Sequence, residues 1–385
     1  ANFYEDPTSD LFLVGVTGTN GKTTTTYMLE SIINAAGKKS GLLGTVDNRI
    51  GEKSFPVSHT TPESVDLQKI FSTMKKEKVD SAVMEVSSHA CLLHRVDNCH
   101  FDQVVFTNLT QDHLDFHKDI ESYFAAKKSL FDLNEAAVQI INIDDKYGRV
   151  LLNNNKKTLT YGFMKEADFR ASNVRLSNYG SQFIVNFLGR EFNFEIMLGG
   201  LFNVYNALAA IASSINMEIE PEIIQNGLYN LKNVPGRFEI IRSNAAFKVV
   251  IDYAHTPDGL KNLLESARKI TSGKLITVFG CGGERDKTKR PLMGKIASEL
   301  SDKVIVTSDN PRGEDSQIII DQITGGAQDS FVSKVDRKEA IKVALAMAEP
   351  KDTVIIAGKG HEDTQEINGE NIPFDDSKIV KGLLQ

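Results

Sequence analysis

The chain has 385 residues, 41% of them hydrophobic and 25% charged, with a formal net charge of −7 at pH 7. This length exceeds one ordinary hydrophobic core, so the composition predicts a globular protein of two domains. The acidic balance argues against a general nucleic-acid binder, because such proteins carry a basic face. Three cysteines without CxxC spacing argue against a zinc site or a disulfide framework and favour a reducing cytoplasm. No apolar run approaches the roughly 18 residues that span a bilayer, so we expect no membrane insertion.

The first half of the chain alternates between strand and helix patterns. A short apolar strand at 11–16 leads through a glycine-containing turn into a helical stretch at about 22–36. Further strand-like runs lie at 81–86, 104–107 and 139–143. This alternation predicts a mostly parallel sheet with helices on both faces. Ligands of such sheets gather at the carboxyl ends of the strands, where the polar residues of this chain cluster.

The second half repeats the alternation after a break. A β-rich stretch at 158–197 and a helix that carries Asn203 come first, and residues 233–239 then interrupt the periodicity like a linker. Beyond it, four strand patterns lie at 248–252, 275–280, 303–307 and 353–357. We therefore predict an α/β fold with two domains, 1–237 and 238–385, and a boundary near Arg237.

The turn after the first strand has the composition of a phosphate-binding loop. Backbone N–H groups of such a loop, together with the helix N-terminus that follows, can hold phosphate. Lys22 would pair with the β- and γ-phosphates of ATP, and the Thr23 hydroxyl would face Mg²⁺. A strict Walker loop has glycine where this chain has Val16, so the loop is a variant, typical of one superfamily. A glycine-rich turn with a chance Lys-Thr pair is the alternative. The predicted loop residues are Gly18, Thr19, Asn20, Gly21, Lys22, Thr23 and Thr24.

Three more residues are candidates for chemistry, each with a plain structural alternative. Glu85 ends an apolar strand, where its carboxylate could bind Mg²⁺, an ion that prefers oxygen ligands, or could be a solvated strand end. His113 on its own is as readily explained as a structural histidine. Lys127 and Lys128 on their own would form a solvated helix face, and they point about 100° apart on a helix.

Taken together, these residues resemble the Mur ligase superfamily, and the resemblance covers essentially the whole chain. Within the superfamily it favours the ligases that add a diamino acid to UDP-N-acetylmuramoyl dipeptide. The segments that carry it are 18–24, 59–62, 84–89 with Arg95, 107–115, 125–127, 235–237, 252–257, 280–286, 309–312 and 358–362. The implied architecture is a central P-loop parallel-sheet ATPase domain followed by a C-terminal Rossmann-like domain that binds the amino acid.

The resemblance also implies a metal centre. Lys127 would be carbamylated by CO₂, because an ammonium group has no acceptor and cannot ligate a cation, whereas a carbamate can. The carbamate would hold one Mg²⁺ with Glu85 and His113, while Thr23 and Glu85 would hold another. Lys22 completes the implied catalytic set.

Substrate contacts follow from the same resemblance. His59 departs from the asparagine that many relatives carry, which leaves the fine contacts open. Besides the phosphate loop, the implied nucleotide contacts are Asn203, Arg237 and His255. The implied contacts to the UDP-substrate are His59, Thr60, Thr61, Ser87 and Arg95. The implied amino-acid contacts are Arg285, Asp309, Asn310, Pro311, Arg312, Gly358 and Glu362.

The sequence 309–312, Asp-Asn-Pro-Arg, indicates which amino acid is added. It resembles the signature of ligases that add meso-diaminopimelate, which is lysine with an extra carboxylate at its far end. A planar guanidinium such as that of Arg312 grips a carboxylate with two hydrogen bonds. Taken alone, the segment could be a type I turn with proline at its second position. Analogues that keep both carboxylates, such as lanthionine, stay open.

The implied activity is ATP-dependent ligation of meso-diaminopimelate to UDP-N-acetylmuramoyl-L-alanyl-D-glutamate through an acyl phosphate. We expect a cytoplasmic monomer whose C-terminal domain closes about the linker near Arg237. The alternatives are another ligase of the superfamily, such as folylpolyglutamate synthase, or a binding protein that has lost turnover. Relatives carry an N-terminal domain for the uridine end, and only about ten residues precede the first strand here. We therefore expect a fragment or a natural short form.

Overall fold

The structure, a computed structural model, describes residues 1–152, 157–177, 180–326 and 331–385. It divides into two compact units. Unit 1 comprises Ala1–Thr110 and His117–Lys232, and unit 2 comprises Gln111–Phe116 and Asn233–Gln385. The short segment Gln111–Phe116 therefore packs with unit 2, although the chain on either side of it belongs to unit 1.

The described part of unit 1 is organised around one sheet of eleven strands. Its strands are β1 (Phe12–Thr17), β2 (Ser40–Leu43), β3 (Asn48–Ile50), β4 (Lys53–Phe55), β5 (Ser81–Glu85), β6 (Gln103–Phe106), β7 (Val138–Asn142), β8 (Thr158–Gly162), β9 (Phe169–Ser177), β10 (Gly180–Phe187) and β11 (Arg190–Ile196). They lie in the order β11-β10-β9-β8-β7-β6-β1-β5-β2-β3-β4. The pairs from β2 through β5, β1, β6, β7 and β8 to β9 are parallel, and antiparallel strands complete both edges. The predicted parallel sheet is confirmed.

Helices cover the central strands of unit 1. They are α1 (Lys22–Ala35), α2 (Ser64–Lys76), α3 (Ser88–Leu92), α4 (Ile120–Asp132), α5 (Lys146–Leu151), α6 (Leu201–Asn216) and α7 (Pro221–Asn230). Strand β1 lies between β5 and β6, and its apolar residues Leu13, Val14 and Val16 are fully buried. Such burial on both faces explains why the strand reads as a continuous apolar run. No helix in the described ranges is both long enough and apolar enough to cross a bilayer.

Unit 2 contains a second, smaller sheet. Its described strands are β12 (Glu239–Ile240), β13 (Lys248–Asp252), β14 (Leu275–Phe279), β15 (Lys303–Thr307), β16 (Val332–Lys334) and β17 (Thr353–Ala357), in the order β12-β13-β17-β14-β15-β16. All pairs except β12–β13 are parallel. A separate hairpin is formed by β18 (Thr364–Ile367) and β19 (Glu370–Pro373). The helices are α8 (Pro257–Ile270), α9 (Lys289–Leu300), α10 (Ser316–Thr324), α11 (Arg337–Met347) and α12 (Asp376–Leu383).

A fully buried ion pair joins the ends of two strands of unit 2. Arg337 begins α11 and Asp376 begins α12; their side chains are 0% exposed and lie 2.7 Å apart. Burial alone would lower the pKa of Arg337, but the charge and hydrogen bonds of Asp376 raise it, so the guanidinium stays charged. It also donates to the carbonyls of Ser308, at 3.3 Å, and Ala357, at 3.0 Å. One guanidinium therefore joins the exits of β15 and β17, which β14 separates.

Candidate active site

The predicted phosphate loop lies between β1 and α1. Gly18 and Gly21 have φ angles of 150° and 89°, which L side chains rarely adopt. A Cβ at Gly18 would overlap Oγ1 of Thr107, and one at Gly21 would overlap Oδ1 of Asn206. No side chain caps the N-terminus of α1. The first-turn amides of an uncapped helix form a natural binding site for an anion.

The exit of β6 holds this loop in shape. Asn108 accepts a hydrogen bond from the Asn20 amide at 2.9 Å through Oδ1 and donates to the Asn20 carbonyl at 3.1 Å. The Thr107 hydroxyl donates to the same carbonyl at 2.7 Å, and the Thr19 amide donates to the Asn108 carbonyl at 2.9 Å. Sequence reasoning recognised the motif at 107–115 but assigned a role only to His113. The loop support from Thr107 and Asn108 was missed.

Both predicted catalytic lysines contact the phosphate loop. The Lys22 ammonium donates to the carbonyls of Gly18 and Thr19, each at 2.9 Å. Lys127, on α4 and 1% exposed, donates to the same Gly18 carbonyl at 2.8 Å. Its ammonium lies 4.6 Å from the ring centroid of Tyr123, whose hydroxyl is 3.2 Å from Oγ1 of Thr19. Helix α4 therefore contacts the loop through residues one turn apart.

Glu85 ends β5, which pairs with β1 so that Glu85 lies opposite Val16. The carboxylate is buried, and Thr45 binds both of its oxygens: the Thr45 amide donates to Oε1 at 2.8 Å, and the hydroxyl lies 3.0 Å from Oε2. A Cβ at Gly44 would lie 2.5 Å from Oε1, so this approach requires glycine. The Thr45 hydroxyl is also 3.1 Å from that of Thr60. The single proton of the Thr45 hydroxyl therefore faces two acceptors, the Thr60 hydroxyl and the Glu85 carboxylate, of which the carboxylate is the stronger.

Most of the predicted UDP-substrate residues surround the same strand end. The Thr61 hydroxyl donates to the Glu85 carbonyl at 2.9 Å and accepts from the Ser87 amide at 3.0 Å. Ser87 in turn caps α3. Arg95 donates to the Thr61 carbonyl at 3.0 Å. The structure thus brings Thr60, Thr61, Ser87 and Arg95 together around Glu85, whereas His59 is exposed on the adjoining loop.

The predicted nucleotide residues fall into two groups, one in each unit. In unit 1, Asn203 donates to the Gly199 carbonyl at 2.7 Å and accepts from Asn206 at 3.1 Å. It is Asn206, one turn along α6, that lies against Gly21, and sequence reasoning missed it. The spacing of three between the two asparagines was the available signal, because it places them on one helix face.

In unit 2, the other two nucleotide candidates flank one aromatic ring. The Arg237 guanidinium lies 4.5 Å from the ring centroid of Tyr253, and Nδ1 of His255 lies 2.9 Å from the Tyr253 carbonyl. The stacked guanidinium is held by a cation–π contact. Tyr253 follows directly after β13, so both contacts are made at the exit of that strand.

His113 belongs to the segment Gln111–Phe116 of unit 2 and has a φ of 54°. Its Nε2 lies 3.3 Å from Oδ2 of Asp112, and Nε2 of His255 lies 3.8 Å from the same oxygen. Burial alone would raise the pKa of Asp112, but the nearby His255 imidazole and the charges of His113 and Lys289 hold it well below its usual range. Asp112 is a buried anion between two predicted site histidines, and it had not been singled out from the sequence.

Arg312 lies at the edge of the β18–β19 hairpin with a φ of 53°. Its Nη1 donates to the Gly283 carbonyl at 2.8 Å, and its Nε lies 3.0 Å from Oε2 of Glu366. Arg285 is exposed, with Nη1 bonded to the carbonyl of its neighbour Glu284. The Pro311 carbonyl accepts from the Glu314 amide at 2.9 Å, so Pro311 is the first residue of this turn and not the second, and the positive φ of Arg312 departs from a type I turn.

The remaining predicted amino-acid residues belong to one polar cluster that is buried except at Glu362, whose side chain is partly exposed. Glu362 Oε2 accepts from Asn310 at 2.8 Å and from Lys359 at 2.8 Å. Lys359 is fully buried and had not been singled out from the sequence. Asp309 Oδ2 is buried and has no hydrogen-bond partner among the described residues. A Cβ at Gly358 would lie 2.5 Å from that oxygen, so glycine leaves it open on that side.

The residues predicted to bind metal are not a cluster of acidic and histidine side chains. Over the described ranges, no group of three or more histidine, cysteine, aspartate and glutamate side chains is arranged to hold a metal ion. The candidates in unit 1 are instead the buried Thr23 hydroxyl, the Glu85 carboxylate and, once carbamylated, Lys127. All three would present oxygen, the donor that Mg²⁺ prefers, so the residues fit that ion.

Comparison with known proteins agrees with the resemblance seen in the sequence. Residues 16–214 match the Mur ligase middle domain, and residues 236–360 match the Mur ligase glutamate ligase domain. UDP-N-acetylmuramoyl-L-alanyl-D-glutamate–2,6-diaminopimelate ligase 1 of Clostridium acetobutylicum is 49% identical over the whole of this chain, which spans 80% of that protein. The 2,6-diaminopimelate ligase of Caldanaerobacter subterraneus is 48% identical, with the same coverage of both chains.

Solved structures give the same result for the fold. A UDP-N-acetylmuramoyl-L-alanyl-D-glutamate–2,6-diaminopimelate ligase superposes with a TM-score of 0.69 at 36% identity, over 97% of this chain and 78% of that one. Mycobacterium tuberculosis folylpolyglutamate synthase superposes with a TM-score of 0.78 over 93% of this chain and 90% of that one, but at 19% identity it is similar in fold alone. With both domains matched and the full length aligned at close to half identity, the chain belongs to the Mur ligase family.

Proposed function

We propose that this chain uses ATP to join meso-2,6-diaminopimelate to the free D-glutamyl carboxylate of UDP-N-acetylmuramoyl-L-alanyl-D-glutamate in peptidoglycan precursor synthesis. The observation that carries this proposal is the adjacency of β1 and β5. Strand β1 leads into the phosphate loop, and β5 ends at Glu85 among the residues suited to the carboxylate substrate. The similar proteins named as 2,6-diaminopimelate ligases support the same assignment.

The chemistry has two steps. The D-glutamyl carboxylate attacks the γ-phosphorus of ATP, which forms an acyl phosphate and releases ADP. The amine of diaminopimelate then attacks the acyl carbonyl, a C–N bond forms, the amine loses a proton and phosphate leaves. Positioning and charge stabilisation supply most of the catalysis of such transfers. Lys22 would exchange its carbonyl partners in the loop for the β- and γ-phosphates.

Mg²⁺ is the metal that the candidate residues fit. When bound, it offsets the repulsion between the carboxylate and the triphosphate. Thr23 and Glu85 would hold one ion, and Glu85, His113 and carbamylated Lys127 a second. Carbamylation joins the neutral amine of Lys127 to CO₂ and releases one proton. The hydrogen bond that the Lys127 ammonium now donates to the Gly18 carbonyl is then lost, because the ammonium group no longer exists.

The role of Lys127 can be tested against its neighbour. Lys127→Ala is expected to lower the ligation rate by on the order of 100-fold or more, with partial rescue by a short carboxylic acid that restores the missing oxygens. Lys128→Ala is the matched control, because Lys128 is partly exposed and bonds to Asp132 at 2.6 Å on the surface of the same helix. Full activity of Lys127→Ala would remove the carbamate from the scheme.

The proposed amino-acid site lies in unit 2. Arg312 would bind the distal carboxylate of diaminopimelate, and Arg285 the carboxylate beside the attacking amine. Asp309, Asn310, Pro311, Gly358 and Glu362 complete the proposed pocket, with Glu362 accepting from the distal amino group. Lysine lacks the distal carboxylate, so the Arg312 guanidinium would keep only its ion pair with Glu366 and its contact with the Gly283 carbonyl. Sites built around a carboxylate partner can reject analogues that lack it by up to on the order of 10⁴-fold.

A substrate panel tests the whole proposal. Phosphate release is measured with ATP, the UDP-dipeptide and either meso-diaminopimelate, lanthionine or lysine. We expect efficient turnover with meso-diaminopimelate and little with lysine. Equal turnover of lysine would refute the proposed specificity, and no turnover with any UDP-dipeptide would favour a binding protein. Turnover with a folate and glutamate instead would favour the folylpolyglutamate alternative, against which the Asp-Asn-Pro-Arg segment argues.

We propose further that the enzyme acts as a cytoplasmic monomer.

A further inference from the structure

The β18–β19 hairpin holds the proposed amino-acid loop through its backbone. The Glu366 amide donates to Oδ1 of Asn310 at 3.1 Å, and the Arg312 amide donates to the Glu366 carbonyl at 3.0 Å. Two residues further, the Asn368 amide donates to the Arg312 carbonyl at 2.8 Å. These bonds need no particular side chain at position 366. The Glu366 side chain is therefore a separate contribution that can be changed on its own.

That side chain forms an ion pair with Arg312. Oε2 of Glu366 lies 3.0 Å from Nε of Arg312, with side chains 39% and 18% exposed. A guanidinium has five N–H donors, which can serve two carboxylates on two different edges. Nη1 donates to the Gly283 carbonyl at 2.8 Å and, over a long 3.5 Å, to the Asn310 carbonyl, while Nη2 makes no hydrogen bond within the described ranges. Glu366 thus covers the Nε edge, and a ligand would meet Nη2 and the weakly held donor of Nη1.

We propose that Glu366 is a specificity determinant of the amino-acid site, acting through Arg312. It sets the Nη1–Nη2 end as the edge that receives the distal carboxylate, and its own charge weakens that binding. This inference rests on the proposed function, because it takes a diamino acid with a distal carboxylate as the substrate. Arg312, within the sequence 309–312, is the residue that binds the distal carboxylate, and Glu366 adjusts the affinity of that binding.

The sign of the effect follows from the charges. With Glu366 present, the guanidinium carries a compensating negative charge beside it, and an incoming carboxylate meets like-charge repulsion. A lysine ligand has only an ammonium at its far end, which the Glu366 carboxylate attracts. Glu366 therefore weakens the binding of meso-diaminopimelate and strengthens the binding of lysine, which reduces the selectivity of the site for meso-diaminopimelate. Since Glu366 is partly exposed, solvent screens the interaction, and we expect about a three- to tenfold effect on each KM.

The test is Glu366→Gln in the full chain. The substitution keeps the size and the backbone bonds but removes the charge. We expect the KM for meso-diaminopimelate to fall about three- to tenfold, the KM for lysine to rise, and the KM for ATP to stay the same. Glu370→Gln is the matched control, since Glu370 is exposed on β19 of the same hairpin and pairs with Ile367 rather than with the loop. Equal thermal unfolding of the variants shows that the fold is kept.

The outcomes separate the inference from the function on which it rests. An unchanged or higher KM for meso-diaminopimelate in Glu366→Gln overturns the inference and leaves the proposed function standing. A parallel loss for both amino acids indicates that Glu366 only holds Arg312 in place, and this also overturns it. A wild-type chain that releases phosphate with neither amino acid overturns the proposed function and the inference together.

Discussion

Asp376→Asn removes the charge that compensates Arg337 in the interior of unit 2. Both side chains are 0% exposed, and the guanidinium also holds the carbonyls of Ser308 and Ala357. Removing one partner of a buried pair leaves an uncompensated charge and typically destabilises by about 3–5 kcal/mol. We expect a loss in this range for Asp376→Asn. Because Arg337 joins the exits of β15 and β17, the loss should be largest at those two strands.

A double variant separates the charge from the packing. Arg337→Met alone leaves the Asp376 carboxylate buried and unpaired, and it is expected to destabilise by a similar amount. Arg337→Met with Asp376→Leu removes both charges, so only the two carbonyl bonds and some packing are lost. The double variant should therefore be more stable than the sum of the single losses predicts, by at least about 2 kcal/mol.

Amide hydrogen exchange followed by mass spectrometry is the suitable assay, because two units need not unfold in one step. Peptides that cover β15 and β17 should exchange on the order of 10²- to 10⁴-fold faster in Asp376→Asn, whereas peptides from β1 and β5 of unit 1 serve as the internal control. Losses below about 1 kcal/mol, or additive losses in the double variant, would refute the view that the pair compensates a buried charge.

Three further predictions concern Glu314, the cysteine thiols and Thr45. Hydrogen bonds from Arg290 lower the pKa of Glu314 to about 2. The ionised Glu314 therefore stabilises the fold fully above about pH 4.5, and this stabilisation is lost as the pH falls toward 2. In acid denaturation, the stability difference between wild type and Glu314→Gln should shrink over this window. Burial raises the pKa of the Cys91 thiol to about 11 and the pKa of the Cys99 and Cys281 thiols to about 12. A thiol reagent at pH 8 should therefore label none of the three until urea unfolds the protein. Rapid labelling of the native protein would contradict this. Thr45→Val, but not Thr45→Ser, should weaken Mg²⁺-dependent ADP binding about tenfold by calorimetry while metal-free ADP binding stays unchanged.

The sequence predicted the strands well where both faces are buried. The runs at 248–252, 303–307 and 353–357 match β13, β15 and β17 residue for residue, because their central residues are buried and form continuous apolar runs. The phosphate loop was equally readable, since its glycines, lysine and threonines occur at fixed spacing. These features depend on local sequence alone.

The supporting residues of the site could not be read in the same way. Thr45 and Asn108 are single polar residues, and each acquires its role only when the folded chain brings it against Glu85 or Asn20. No spacing rule links them to those partners. The excursion of Gln111–Phe116 into unit 2 was also unforeseen, because composition and periodicity do not change at its ends.

The assignment of Gln111–Phe116 to unit 2 has a practical consequence for expressing the two units separately. The chain changes unit three times, after Thr110, after Phe116 and after Lys232, so no single cut separates the two units. A polypeptide of residues 233–385 would lack Asp112, the buried carboxylate beside His255. A polypeptide of residues 1–232 would carry that carboxylate without this histidine partner. Each half, expressed alone, would thus be short of a polar partner that the other half encodes.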